Sequence, residues 1–228
     1  MIKKGLKYLI IFIFSFLLLS VLWVVVYKFL NPPVTTFMLY KYFNEEDYQI
    51  SKKWIDIEKV DPGLLIAFIA SEDQLYLEHS GFDIVAIKNA FEKNKKSDRI
   101  VGASTISQQV CKNVFLIPNK SFIRKGIEAY FTVLVEAIWG KKRIMEVYIN
   151  IVELGPGVYG VNAAAQKYFN KPGEEINLNE GTLMAAALPN PILYDLANPS
   201  PKMFRKKNWI LKQVYNLGGE KIILHWYE

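Results

Sequence analysis

Cysteine is almost missing from this sequence. Cys111 stands alone in 228 residues, which excludes an internal disulfide and leaves the fold to its core. Histidine is nearly as scarce, with only His79 and His225, and neither paired cysteines nor an H-E-x-x-H spacing accompanies them. No metal-binding motif is therefore present. There is no P-loop and no G-x-S-x-G, and a serine nucleophile would find only His79 near a site as its base. Strand-type alternation of apolar and polar residues is almost absent, which points to a mainly α chain of eight or nine helices. Internal repeats and low-complexity tracts are also missing.

Charge is missing from one long stretch. Tyr8 to Tyr27 holds twenty residues without a charged side chain, enough for a helix of ~30 Å, the thickness of a bilayer's hydrocarbon core. Tyr8, Trp23 and Tyr27 lie near its ends, where aromatic rings prefer the interface. The run ends Trp23-Val24-Val25-Val26-Tyr27-Lys28 without small residues in an A-x-A pattern, which argues for an uncleaved anchor rather than a signal peptide. Lys3, Lys4 and Lys7 precede it and orient the N-terminus to the cytoplasm. The expected organisation is a tail at 1–7, a transmembrane anchor at 8–28, a membrane-proximal stem at 29–59 and one domain at 60–228. The net charge is +6, but residues 1–30 carry four lysines and no acid; the remaining 24 basic and 22 acidic residues leave only +2. That balance gives no reason to expect nucleic acid, and an anionic substrate must be met by local clusters.

Past Asn31-Pro32-Pro33 the pattern turns helical. Asp61-Pro62 reads as an N-cap with proline at the first helical position, opening a helix to about Leu77. Further starts are read at Asp83, Ser104, Ser121 and Asn177, the last with Glu180 as a capping box, and a stop at Gly140. The stretch "NKKSDRIVGA" reads as a polar loop. "FLIPNKSFI", Phe115 to Ile123, reads as an interfacial element dipping into lipid headgroups.

Four stretches carry chemistry. In "IASEDQLYLEHSGF" the i, i+4, i+7 spacing would put Glu72, Tyr76 and His79 on one helical face, with Asp73 beside them. Read alone, the stretch is equally a helix end turning polar or a general base whose pKa is raised by an apolar wall. His79 reads more simply as a cap or a hydrogen-bond partner than as a catalyst. "GASTISQQVCKN" lines up Thr105, Gln109 and Lys112, with Gln108 and Asn113 flanking. A glycine and serine at a helix start suit an anion, and amide side chains suit sugar hydroxyls. "RKGIEAYFTVLVE" sets Arg124 and Lys125 near Glu128, either as a surface ion pair or as a second carboxylate held in a cleft, and Glu136 could equally be meant. "KKRIMEVYINIVELG" reads mostly as packing, capping and ion pairs.

These four stretches, in this order and spacing, resemble the peptidoglycan glycosyltransferases of family 51, over roughly Pro32 to Gly219. No transpeptidase domain follows, so the resemblance is to monofunctional members. It implies a lysozyme-like helical head with a smaller membrane-associated jaw, at the bacterial inner membrane, with the catalytic part periplasmic. The implied reaction extends a lipid-linked glycan chain with lipid II and releases undecaprenyl diphosphate. Carried over, Glu72 matches the catalytic base and Glu128, rather than Glu136, the second essential carboxylate. Asp73, His79, Thr105, Gln109, Lys112, Asn113, Arg124 and Lys125 match substrate-binding positions. No cofactor is expected. A divalent cation, Mg or Mn, on the diphosphate is compatible with the chemistry, although no D-x-D-like motif is visible. Expected partners are lipid II, the glycan chain, the membrane and other cell-wall synthesis or division proteins. Tyr76 departs from the family's usual phenylalanine, Ala103 and Ser107 from glycine and threonine, and Gly181-Thr182 from small helix formers.

Two rival readings exist. A lytic transglycosylase or lysozyme also uses a lone glutamate on helices, but a polysaccharide without diphosphate needs no cluster like Lys112, Arg124 and Lys125. A non-catalytic membrane-anchored scaffold would need neither the two glutamates nor the cations.

Overall fold

The computed structural model describes residues 2–96, 102–119 and 121–228. Residues 97–101 of the expected polar loop and Lys120 of the expected interfacial element lie outside them, as does the side chain of Lys3. The fold is mainly α. Helix α1, Ile2–Phe29, is apolar on all sides. Its Lys4–Phe29 portion is long and apolar enough to cross a membrane. Then follow α2 (Thr36–Asn44), strand β1 (Ser51–Lys52), α3 (Pro62–Glu72), α4 (Ile84–Lys96), α5 (Ile106–Phe115) and α6 (Phe122–Ile151). Strands β2 (Glu153–Gly155) and β3 (Val158–Tyr159), the short α7 (Val161–Ala164), α8 (Leu178–Ala187) and α9 (Pro201–Asn216) complete the order. β3 lies between β1, to which it is parallel, and β2, to which it is antiparallel. Strands of two or three residues are too short to leave an alternating pattern, which is why they left no legible trace.

Helix α3 is the centre of the core. Leu64 to Ala70 are buried without interruption, because α8 and α9 cover it. Gly181 makes that crossing close: a Cβ there would stand 2.9 Å from Leu64 Cα. The departure at Gly181 from the family's small helix formers thus has a packing reason. Asp61 caps α3 by accepting from Gly63 N–H at 2.7 Å, and Ser121 and Asn177 cap α6 and α8 as expected. Two expectations are corrected. Helix α3 ends at Glu72, not near Leu77, because Asp73 turns out of the helix at φ −160°, ψ 74°. Glu72, Tyr76 and His79 therefore do not share a helical face. The cap of α5 is Thr105, not Ser104, with Gln108 completing a capping box.

α6 carries α1 as well as part of the site. Ser20 Oγ meets Tyr130 OH at 2.7 Å, and Trp139 Nε1 donates to Val24 O at 2.7 Å. Arg143 donates to Tyr27 O and Leu30 O, both at 3.0 Å, and so satisfies carbonyls left open at the end of α1. Trp23 packs edge-on to Phe115, which stacks on Phe131 at 4.6 Å. Phe115 is thus buried, contrary to its expected place on an interfacial face, whereas Phe122 is 98 % exposed.

Gly140 breaks α6 at φ 75°, ψ 164°, a left-handed backbone that no L side chain adopts cheaply. Nothing lies within 4 Å of a Cβ added there, so conformation alone sets the cost of filling it. Gly140→Ala should lower stability by about 1–2 kcal/mol, read from the denaturant midpoint in detergent. A midpoint equal to the parent's would contradict the break.

Candidate active site

The end of α3 presents Glu72 to an open groove of about 830 Å³. Glu72, Asp73, Thr105 and Gln109 line it together with Asp83, Ala86 and Asn89. Gln109 Nε2 donates to Glu72 Oε2 at 3.0 Å and Ser71 Oγ to Oε1 at 3.3 Å. Tyr148 OH donates to Gln109 Oε1 at 3.4 Å, which turns the Gln109 amide so that its NH₂ faces the carboxylate. Burial pushes the Tyr148 phenol well above its ordinary range, and the charges of Glu72 and Asp73 add to this, so it remains a donor.

Asp73 has a different task. It is buried, accepts from Ile106 N–H at 2.9 Å and pairs with His79 Nε2 at 2.8 Å. Gly81 N–H donates to His79 Nδ1 at 3.1 Å, which leaves the His79 proton on Nε2, pointing at Asp73. Thr105 Oγ1 donates to Gly81 O at 2.7 Å and accepts from Gln108 N–H at 3.2 Å. The hydrogen-bonding groups of Asp73, His79 and Thr105 are thus committed within the protein, tying the end of α3 to the start of α5. The extra hydroxyl of Tyr76 donates to Lys141 O at 2.7 Å.

On α6, Glu128 is 2 % exposed and held by two cations. Arg124 Nη1 donates to Oε2 at 2.5 Å and Lys125 Nζ to Oε1. Lys125 also reaches Ser104 Oγ, on the rim of the groove, at 3.3 Å. Lys112 of α5 faces a smaller cavity of about 330 Å³ together with Arg124. No residue among those described makes a hydrogen bond or ion pair with its ammonium. Burial pushes that ammonium below the usual lysine range; Glu128 opposes the shift, and Arg124 and Lys125 add to it. Three cations therefore surround one buried carboxylate. Glu136, the alternative carboxylate, is taken by Lys141 at 2.7 Å and by Ser107. Asn113 is half-buried and lines neither cavity.

Sequence reasoning missed two residues. Lys206 of α9 lies in the electrostatic field of Glu72, with its ammonium pushed down by burial. Its signal was its register: three residues after Met203 and four before Ile210, both buried, a lysine falls on the inward edge of the helix. Tyr148, read as packing, orients Gln109. Among the described residues no group of three His, Cys, Asp or Glu side chains could hold a metal ion.

A helical enzyme with a carboxylate in an open groove and a cation cluster joined to the groove's rim is the class these features define, a glycosyltransferase. Residues 39–215 match the family model described as Transglycosylase, and the chain belongs to that family. It is 42 % identical over 219 residues to the biosynthetic peptidoglycan transglycosylase of Shewanella oneidensis, covering 95 % of this chain and 94 % of that one. Its identity to the protein of the same name from Aeromonas hydrophila is 44 %, over 89 % of this chain and 87 % of the relative. For that of Mannheimia succiniciproducens it is 49 %, over 75 % and 70 %.

Asp73→Asn should cost about 2–3 kcal/mol, because an amide cannot accept from both Ile106 N–H and His79 Nε2–H. The check is the denaturant midpoint. An unchanged midpoint would mean that the bridge to α5 carries no stability.

Proposed function

We propose that this protein polymerises lipid II into β-1,4-linked glycan strands for the cell wall, inverting the anomeric centre and releasing undecaprenyl diphosphate. The observation that supports this best is the division of charge between Glu72 in the groove and the cation cluster joined to its rim. Glu72 faces the open groove, while Lys112, Arg124 and Lys125 gather around Glu128, joined to the groove's rim through Ser104.

In this reading Glu72 takes the proton from the acceptor's 4-hydroxyl as its oxygen attacks C1 of the growing chain. Gln109, held by Tyr148, orients the carboxylate. The C1–O bond to the diphosphate breaks, and the cations neutralise the departing charge, so no strong general acid is needed. Glu128 keeps Arg124 and Lys125 in place for that role. A divalent ion, Mg²⁺ or Mn²⁺, would ride on the diphosphate of the substrate rather than on a protein site. A glycan-cleaving enzyme would have no use for a half-buried Lys112 left without a partner. The apolar α1 supports a single-pass anchor at 8–28 in the inner membrane, with residues 1–7 cytoplasmic, the stem at 29–59 beside the membrane and the domain at 60–228 periplasmic, where other wall-synthesis or division proteins would meet it.

The test is purified full-length protein with labelled lipid II, the product being analysed with and without lysozyme. Parent protein should yield lysozyme-sensitive polymer, and Glu72→Gln should reduce the rate by about 10²-fold or more. Equal polymer from both would remove Glu72 from the role.

A second test uses pH. The folded pKa of Lys112 lies below its unfolded value, so its charge is intact at low pH and lost as pH rises through that depressed range. Its burial accordingly costs stability at low pH, and the cost is relieved above. Affinity for inorganic diphosphate should begin to fall at a pH below the usual lysine range. Lys112→Arg, whose guanidinium does not titrate there, should abolish the early fall. A parent profile flat up to the ordinary lysine range would contradict this role.

A further inference from the structure

Helix α9 carries charge of one sign. It holds Lys202, Arg205, Lys206, Lys207 and Lys212 and no aspartate or glutamate. None of these cations makes an ion pair with a described residue; Lys202 lies over the ring of Tyr194, at 5.3 Å. The helix's own stability does not account for them. Lys202 stands in the first turn and Arg205 to Lys207 in the second, the end at which the helix dipole disfavours positive charge, and the last turn has no cation at all. An anion from outside the chain would reverse that cost.

The register gathers most of this charge on one flank. Buried Met203, Ile210 and Val214 mark the face packed on α3 and α8. From Lys202, the i, i+3, i+4, i+7 spacing sets Arg205, Lys206 and Trp209 along one edge of that face, with Lys212 beyond them. Lys202, Arg205 and Lys212 are exposed, and the Trp209 ring is 47 % exposed. This flank adjoins the groove. Lys206, its most inward member, lies in the field of both Glu72 and Tyr194. Pro189 is a wall of the groove, and the chain turns at Asn190 to bring Tyr194 beneath Lys202. From Lys202 to Lys212 the flank runs ~15 Å, the reach of an extended peptide of about five residues.

We propose that the flank of α9 bearing Lys202, Arg205, Lys206 and Lys212 receives the carboxylates of the peptide carried by the incoming acceptor. The inference rests on the function proposed above: the acceptor whose hydroxyl meets Glu72 is a building block of peptidoglycan, a glycan with peptides on its sugars. A peptide attached through its amino end leaves a carboxylate at the other. With the sugar at Glu72, such a peptide leaves the groove past Pro189 and meets cations that have no partner of their own, while Trp209 offers a flat apolar body for it to lie on. Charge complementarity and continuity with the groove select this occupant over a neutral ligand. The peptide's charge is then read by a helix that takes no part in the displacement itself.

The test compares polymerisation of lipid II with that of lipid II whose peptide carboxylates have been amidated, by full-length protein in an uncharged detergent. The parent should show a KM about fivefold lower for the carboxylate form, the sum of a few solvent-exposed ion pairs, with kcat alike for both. The triple variant Lys202→Gln, Arg205→Gln, Lys212→Gln alters three exposed positions. It should bring the two KM values together, at the parent's kcat and melting temperature. Lys202→Arg with Arg205→Lys, which keeps the charge, should keep the preference. A parent that does not distinguish the two forms, or a triple variant that retains the preference, would overturn the inference while leaving the polymerase reading intact. So would a variant that raises KM equally for both forms, since the flank would then meet an anion other than the peptide, such as a lipid headgroup. If the parent polymerises neither form, the proposed function fails and this inference fails with it.

Discussion

The burial of Glu128 is the constraint on which the site depends. A carboxylate almost wholly removed from water is tolerable only with cations against it, and Arg124 and Lys125 supply them one helical turn away. Removing one partner of such a buried pair typically costs about 3–5 kcal/mol. The carboxylate therefore fixes two flexible cations in a single geometry. Because it is one negative charge among three positive ones, the cluster retains an excess that an incoming anion can satisfy. Lys112 is where that excess is felt, for it is held partly out of water with no partner.

A second constraint joins this cluster to the apolar helix α1. The helix that bears Arg124, Lys125 and Glu128 also bears Tyr130, Trp139 and Arg143, which grip α1 at Ser20, Val24, Tyr27 and Leu30. Each contact satisfies a polar group that would be expensive to leave open in an apolar setting. α1 is thus a docked element, and its docking fixes the position of the cations relative to the exposed apolar residues Ile117, Phe122 and Ile123. The break at Gly140 lets α6 serve both ends, since the helix stops there and resumes in a new direction between Trp139 and Arg143.

Much of this was legible because it is local. Caps at Asp61, Ser121 and Asn177 are written within four residues of the bonds they make, and the stop at Gly140 needs only glycine's access to positive φ. The pairing of Glu128 with Arg124 and Lys125 follows from helical spacing alone. What was not legible depends on distant partners. The exit of Asp73 from α3 is fixed by Ile106 N–H, 33 residues further on, and no pattern near Asp73 announces it. Lys206 reaches the site from a helix that was given no role and Tyr148 from one read mostly as packing, and only the crossing of α9 and α6 with α3 and α5 brings them to Glu72 and Gln109. The strands β1 to β3 are too short to have left any signal.

The central claim is a single displacement: a hydroxyl made nucleophilic by Glu72 attacks carbon while the diphosphate on that carbon is drawn away by the cation cluster. The anomeric configuration of the newly formed linkage tests it most directly, measured by NMR on polymer made by the purified protein from an α-linked lipid diphosphate sugar. The account predicts β-1,4 linkages throughout. An α-linked product would require a second displacement, for which the division of roles between Glu72 and the cation cluster makes no provision, and would contradict it.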